Sequence, residues 1–186
     1  MANPLKKFLG LGVLLLLILG LIATIKPKPI SPSQTVSKTA FGLPVRLIIR
    51  VIGVDANVQY LGVNKAGEME VPSNITDVGW FKLGSKPGEK GSAVMAGHLN
   101  GAGDKMGVFA DLDKLKIGDK VSVVDDRGAS ITFVVRKTGV FDFGYEDEVF
   151  SRNDGVYLNL ITCDGGWDKA ENSYKQRLVV FTEMVN

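Results

Sequence analysis

One cysteine and one histidine occur in the chain, Cys163 and His98, and a thiol paired with an imidazole can carry out acyl transfer. Cys163 follows the strand-like run Val156 to Ile161 and precedes Gly165-Gly166. A thiol that leaves a strand at a Gly-rich turn is presented at a sheet edge. The alternative is that Cys163 is a small buried hydrophobic residue, as lone cysteines often are.

Strand alternation argues against simple burial of Cys163. Side chains on a strand point to opposite faces in turn, so Cys163 shares a face with Tyr157, Asn159 and Ile161. The other face is more uniformly apolar and carries Val156, Leu158 and Leu160. Cys163 is therefore expected to lie off the apolar face.

Arg177 opens the last strand-like run, Leu178 to Phe181. If this run pairs antiparallel with the run before Cys163, then Cys163 and Arg177 lie at the same rim. A guanidinium there can favour the thiolate and donate hydrogen bonds to an oxygen that gains negative charge. Taken alone, Arg177 would be interpreted as a solvated strand-end cation. Lys175 is the substitute if the register differs.

His98 follows the apolar run Ser92 to Ala96 and Gly97, and a polar, Gly-rich loop comes after it. It could be an ordinary surface histidine. Thiol catalysis, however, needs a group that titrates near neutrality, and no other side chain of this chain does so without a perturbed pKa. His98 is thus the predicted proton donor and acceptor.

Composition excludes several other classes of function. The formal net charge is only +2, with acidic and basic residues interspersed, so no nucleic-acid partner is predicted. One cysteine cannot form an internal disulfide, and one Cys with one His cannot build a structural zinc site. We predict no metal and no cofactor. The acidic stretch Asp142 to Glu148 could hold a cation, although a solvated loop is the favoured interpretation.

The N-terminal third divides into three segments. Residues 1–7 are predicted to be a cytoplasmic N-terminus, and residues 8–25 form an uncharged apolar run. That run is about long enough for a transmembrane helix and exceeds the apolar core of about 7–15 residues in a signal peptide. Residues 26–43 are rich in Pro, Ser and Lys and are predicted to be an extended tether. The rest of the chain is then expected outside the membrane.

Residues 44–186 show short apolar runs separated by Gly and Asp turns, which indicates a mostly β domain. A sandwich or a closed barrel fits this spacing. Hairpin turns are predicted at Asp126-Arg127-Gly128 and Asn64 to Gly67, and only Gly107 to Leu115 has a helical pattern, as one short turn or two. The candidate strands are Arg46–Val51, Ala56–Leu61, Ser92–Gly97, Lys120–Asp125, Ser130–Thr138, Tyr157–Thr162 and Leu178–Met184.

Between about Pro44 and Met184 the chain resembles the sortases, the membrane-anchored cysteine transpeptidases of bacterial cell envelopes. The order His, Cys, Arg is the specific feature, and the resemblance is greatest to the class E and F branches. The motifs that carry it are Ile52-Gly53-Val54-Asp55-Ala56, Glu70-Val71-Pro72, Val78-Gly79-Trp80-Phe81, Pro87 to Val94, Ala96-Gly97-His98, Gly107 to Leu112, Leu160-Ile161-Thr162-Cys163 and Arg177-Leu178-Val179-Val180.

The resemblance implies a closed, eight-stranded β-barrel with one or two short helices, preceded by an N-terminal transmembrane helix. It also implies that Cys163 forms a thioacyl intermediate with surface proteins that bear a C-terminal sorting motif of the Leu-Pro-x-Thr-Gly type. His98 would exchange the proton, and Arg177 with the backbone near Thr162 would stabilise the oxyanion. Thr162 and Asp164 are expected to contact substrate. The acceptor would be an amine of a peptidoglycan precursor or a pilin.

Two other functions remain open at this point. A cysteine peptidase could hydrolyse envelope peptides with the same residues, although papain-like chains place the cysteine before the histidine. An anchored β-domain that only binds envelope partners would need no reactive thiol. The sequence thus predicts a single-pass protein of the bacterial cell membrane with an extracellular β-barrel.

Overall fold

A computed structural model describes residues 41–103, 105–142, 144 and 147–185. These residues form eight strands, one α-helix, α1 (Asp147–Ser151), and two 3-10 turns, Arg50–Ile52 and Leu112–Lys114. The strands are β1 (Pro44–Ile49), β2 (Val54–Leu61), β3 (Val78–Phe81), β4 (Gly91–Gly97), β5 (Lys120–Asp125), β6 (Ser130–Asp142), β7 (Val156–Asp168) and β8 (Ser173–Met184).

The eight strands close into a barrel in the order β1-β2-β3-β4-β7-β8-β6-β5, and β5 pairs back to β1. Two neighbouring pairs are parallel, β2 with β3 and β4 with β7, and the others are antiparallel. The predicted closed eight-stranded β-barrel is confirmed. The predicted cytoplasmic segment, the transmembrane segment and most of the tether, residues 26–43, lie outside the described residues.

The barrel interior is filled by aliphatic and aromatic side chains from every strand. Its largest fully buried members include Phe133, Phe109, Leu47, Ile49, Leu158 and Leu160. A second apolar cluster covers the outside of three strands and contains Val94, Val149, Ile161, Val179 and Phe181. Residues 91–95 of β4, 157–162 of β7 and 178–182 of β8 are therefore buried on both faces, which explains why these stretches are mostly apolar.

Helix α1 seals this outer cluster. Val149 is fully buried, and its carbonyl oxygen accepts a hydrogen bond of 2.6 Å from Asn159 Nδ2 on β7. A helix of five residues has little intrinsic stability, so these contacts hold it in place. The sequence prediction placed a solvated loop over Asp142 to Glu148, and the helix overlaps the end of that stretch.

The predicted helical stretch, Gly107 to Leu115, forms tight turns and one 3-10 turn rather than an α-helix. Within it, Ala110 N donates to Gly107 O at 3.0 Å and Leu112 N donates to Phe109 O at 3.2 Å. Two other N–H groups bond outside the stretch, since Val108 N donates to Ile75 O at 2.7 Å and Phe109 N donates to His98 O at 3.0 Å. The expected one or two short turns are therefore present, and the outside bonds tie them to His98 and Ile75.

The strand predictions were correct for seven of the eight strands, with differences at the ends. The hairpin turn after Asp125 is confirmed, because β5 and β6 pair on either side of it. Strand β3 was not among the candidate strands, because it has only four residues, three of them buried, and shows no alternation. Among the described residues, no helix has the length and hydropathy needed to cross a bilayer.

Replacing Phe133 by Ala is expected to lower the free energy of unfolding by about 3–5 kcal/mol, because the ring is fully buried in the barrel. Val140 lies on the same strand and is 49% exposed, so Val140→Ala should cost less than about 1 kcal/mol. Urea denaturation followed by fluorescence measures both. Equal losses for the two variants would contradict this description of the core.

Candidate active site

Cys163 on β7 lies directly opposite Arg177 on β8 in the antiparallel register. Directly paired residues project to the same face, and their Cβ atoms are about 4.5–5.5 Å apart. The juxtaposition expected from the sequence is therefore present. Both side chains are half-buried. Cys163 shares the outer face of the barrel with Ile161, and Arg177 shares it with Val179.

The segment after Cys163 differs from the sequence prediction. The candidate strands ended at Thr162 and resumed at Leu178, but β7 continues to Asp168 and β8 begins at Ser173. Gly165 has φ = +74° at a register shift between Asp164 and Trp167, a backbone conformation that favours glycine. Cys163 thus lies within a long, bulged hairpin rather than at the end of a strand.

The Arg177 side chain runs along its own strand. Nη1 donates to the carbonyl oxygens of Tyr174 and Gln176 at 3.0 and 2.9 Å, and Nη2 donates to Ser173 Oγ at 3.3 Å. These bonds restrict the guanidinium to the hairpin beside the position that Cys163 occupies. A guanidinium held in one orientation loses less entropy when it binds an anionic oxygen.

Lys175 does not take the place of Arg177. Its ammonium lies 3.8 Å from Asp168 Oδ2 across the hairpin, and its side chain is 64% exposed. Because the register pairs Cys163 with Arg177, the condition under which Lys175 was the substitute is not met.

His98 reaches the same end of the barrel through the parallel pairing of β4 with β7. Ala96 is paired with Ile161, so His98 and Cys163 each lie two residues beyond the last pair of this ladder. Thr162 Oγ1 donates a 2.9 Å hydrogen bond to Gly97 O, which joins β7 to the end of β4 after the ladder stops. The backbone of His98 and that of Cys163 therefore lie at the same level on neighbouring strands.

The backbone around His98 is tightly constrained. His98 O accepts a hydrogen bond from Phe109 N at 3.0 Å, and His98 Nε2 lies 2.8 Å from Pro72 O. A Cβ atom at Gly97 would lie 2.5 Å from the Phe109 ring, so only glycine fits before the histidine. His98 is half-buried.

A cavity of about 120 Å³ opens beside Cys163 and extends between β7 and the segment that follows His98. Thr162 and Asp164, the two residues expected to contact substrate, both line it. The Thr162 side chain is buried and already bonded to Gly97, whereas Asp164 is half-buried. The rest of the lining is Leu99, Phe109, Ala110, Asp113 and Leu178. These five residues were not predicted from the sequence to be part of the site, although Phe109 and Ala110 belong to the motif Gly107 to Leu112.

Burial raises the pKa of the Cys163 thiol above its ordinary value, and the positive charge of Arg177 offsets part of that rise. The sequence left open whether Arg177 would lower this pKa below normal. The net direction is upward, so the thiol is mostly protonated at neutral pH.

The acidic stretch from Asp142 to Glu148 is only partly described, since residues 143, 145 and 146 are outside the described residues. At its ends, Asp142 Oδ1 accepts a 3.4 Å hydrogen bond from Gln176, and Glu148 pairs with Lys137 at 2.8 Å. Where the chain is described, no group of three or more His, Cys, Asp or Glu residues could hold a metal ion.

Comparison with known protein families assigns the barrel. Residues 47–185 match the family model of the sortase domain. The chain belongs to the sortase family. Sortases are cysteine transpeptidases, and the match spans both His98 and Cys163. No curated protein sequence matches this sortase.

Solved structures similar to this sortase have the same fold. Sortase C-1 from Actinomyces oris is 24% identical with a TM-score of 0.61, and the alignment covers 77% of this chain and 75% of that one. The Sortase D5 transpeptidase of Clostridium perfringens is 20% identical with a TM-score of 0.58, covering 77% and 79%. Sortase C-1 from Streptococcus pneumoniae is 26% identical with a TM-score of 0.58, covering 76% and 66%. The class E or F assignment stays a prediction.

The raised pKa of Cys163 leads to a direct prediction for thiol alkylation. The rate of reaction with iodoacetamide should rise with pH through an inflection above that of free cysteine, because only the thiolate reacts. In Arg177→Gln the inflection should move further upward, because the offsetting positive charge is lost. Mass spectrometry reads Cys163 alone, since the chain has one thiol. An inflection below that of free cysteine would contradict the burial argument.

Proposed function

We propose that this sortase is a membrane-anchored cysteine transpeptidase that cleaves a C-terminal sorting motif of the Leu-Pro-x-Thr-Gly type. It then transfers the protein to an amine of a peptidoglycan precursor or a pilin. The observation that supports the proposal is the strand register, which brings the backbone of His98, Cys163 and Arg177 to one end of the barrel. Cys163 faces Arg177 across β7 and β8, and the parallel β4–β7 pair brings His98 to the same level.

The first half of the reaction forms the acyl-enzyme. His98 takes the thiol proton of Cys163, and the resulting thiolate attacks the threonine carbonyl carbon of the sorting motif. The bond from this carbon to the glycine nitrogen breaks, and the protonated His98 gives its proton to the departing amine. The products are a thioester on Cys163 and a free peptide that begins with glycine.

Arg177 acts on the negative charge that develops between these states. The carbonyl oxygen becomes an oxyanion when the sulfur adds, and the guanidinium, together with backbone near Thr162, stabilises it. Donors that are fixed in advance are effective here because they need no reorganisation as the charge forms. The hydrogen bonds from Arg177 to Ser173, Tyr174 and Gln176 support this role, because they restrain the guanidinium.

The second half of the reaction resolves the thioester. Neutral His98 accepts a proton from the incoming amine as its nitrogen attacks the thioester carbon, and the thiolate of Cys163 leaves. A new amide bond joins the surface protein to the acceptor, and the proton on His98 returns to the sulfur. Water could take the place of the amine, which gives the hydrolase side activity.

The proposed location follows from the N-terminal sequence. Residues 8–25 anchor the protein as a single membrane span, residues 26–43 hold the barrel away from the bilayer, and residues 44–186 form the extracellular catalytic domain. Pro44, where the barrel begins, pairs with Asp125 at the end of β5. The N-terminal entry therefore lies at the barrel end opposite to Cys163.

Replacing Cys163 by Ala should lower cleavage of sorting-motif peptides by at least about a thousandfold, because no other thiol can form the thioester. The assay is chromatography of a fluorescent Leu-Pro-x-Thr-Gly peptide library with and without an added glycine oligomer. With the acceptor present, the wild-type product should carry the added amine. Cleavage without any amine incorporation would indicate a peptidase, and equal turnover by Cys163→Ala would exclude the thiol mechanism.

Arg177 and Lys175 form a matched pair of cations on one strand. Arg177→Lys should lower kcat by about 10²–10³-fold, as when one oxyanion donor is removed, because a lysine cannot reproduce the guanidinium geometry. Lys175→Ala should stay within about twofold of wild type, since it removes only an exposed ion pair. Steady-state kinetics on the same peptide compare the two. The opposite ranking would transfer the oxyanion role to Lys175.

A further inference from the structure

The hydrogen bond of the His98 ring has a consequence for proton transfer. His98 Nε2 lies 2.8 Å from the backbone oxygen of Pro72. A carbonyl oxygen can only accept, so Nε2 must carry a hydrogen in both the neutral and the protonated ring. Nδ1 is then the one ring atom that can gain or lose a proton while this bond is intact.

The Pro72 carbonyl is held by the residue that follows it. Pro72 is buried, and Ser73 is bonded to the side chain of Gln59 on β2. Ser73 N and Ser73 Oγ both donate to Gln59 Oε1, at 3.0 and 3.2 Å. Gln59 thus ties the β2–β3 connection to the barrel wall immediately beside the carbonyl that receives the His98 hydrogen bond.

The other end of the Gln59 amide fixes the next turn of the same connection. Gln59 Nε2 donates to Asp77 Oδ2 at 3.0 Å, and Asn74 Nδ2 donates to the same oxygen at 2.7 Å. The Gln59 hydrogen bond, followed by that of Asn74, lowers the pKa of Asp77, so the carboxylate stays charged at neutral pH. Asn74 Oδ1 in turn accepts from the backbone N–H groups of Thr76 and Asp77.

We propose that Gln59 is a positioning residue for His98, acting through the Pro72 carbonyl to keep the hydrogen on Nε2 and to reserve Nδ1 for catalysis. This inference rests on the proposed acid and base role of His98. In acylation, the hydrogen on Nδ1 goes to the departing glycine amine. In resolution, the Nδ1 lone pair accepts a proton from the incoming amine, and the Nε2 hydrogen stays in place throughout.

Loss of the Gln59 amide should affect the reaction rather than peptide binding. Without its two hydrogen bonds to Ser73 and its bond to Asp77, the Pro72 carbonyl is free to move and the ring can rotate or change tautomer. Small displacements of a proton-transfer group cost rate steeply. In Gln59→Met, which keeps the side-chain length but has no amide, kcat should fall about tenfold while KM stays within about twofold.

Asn64 supplies the matched control in the same β2–β3 connection. Its amide also makes three hydrogen bonds, with Ala66 N, Glu68 N and Glu68 Oε2, but these close the turn before Met69. Asn64→Ala should therefore leave kcat, KM and the His98 ring unchanged.

The direct test is nitrogen NMR of the ring in the full chain, labelled with ¹⁵N-histidine and kept in detergent because of the predicted anchor. The chain has one histidine, so every imidazole signal belongs to His98. In wild type and Asn64→Ala, the Nε2 hydrogen should be observable and slow to exchange, and the neutral ring should carry no hydrogen on Nδ1. In Gln59→Met, the Nε2 hydrogen should exchange faster and both nitrogens should shift.

Two results would overturn the proposal. One is a neutral wild-type ring with its hydrogen on Nδ1, which needs no variant and no activity to observe. The other is a Gln59→Met protein with wild-type ring signals and wild-type kcat. The spectrum is recorded without substrate, so the positioning role of Gln59 can fail while transpeptidation is intact. In the same way, the ring signals can agree with that role in a protein that shows no transpeptidation.

Discussion

The parallel pairing of β4 with β7 is the constraint on which the site depends. Antiparallel neighbours in a barrel are commonly joined by a short hairpin, but these two strands are separated by the whole stretch from His98 to Gly155. Only this pairing brings His98, which follows the end of β4, and Cys163 on β7 to one level of the barrel. The hydrogen bond from Thr162 to Gly97 O extends the contact past the ladder, so the two residues leave adjoining, fixed backbone.

The same architecture limits the fraction of Cys163 that is present as the thiolate. Strand β7 is buried on both faces, inside by the barrel core and outside by the cluster under α1, and Cys163 follows Ile161 on the outer face. Partial burial shields the sulfur and raises its pKa, and Arg177 opposes this only in part. The site is thus partly shielded from water. This shielding suits fixed hydrogen-bond donors, but it leaves few protein molecules with Cys163 as the thiolate at neutral pH.

Much of the arrangement could be predicted from the sequence because strand alternation and hairpin pairing are local rules. They placed Cys163 opposite Arg177, whereas His98 became the candidate acid and base because it is the single imidazole of the chain. Tertiary hydrogen bonds were not predictable in this way. Phe109 N donates to His98 O outside its own turn, the Val78–Phe81 strand shows no period, and the Asp164–Gln176 segment is a bulged hairpin. The contact from Pro72 to His98 joins residues 26 positions apart, a separation that no local pattern encodes.

The central claim is that the single thiol and the single imidazole share one end of the barrel, and one measurement tests it most directly. A nitroxide attached to Cys163 should broaden the ¹⁵N-histidine ring signals of His98, and reduction of the nitroxide should restore them. Ring signals that are the same with the oxidised and the reduced label would place the imidazole far from the thiol and contradict the account.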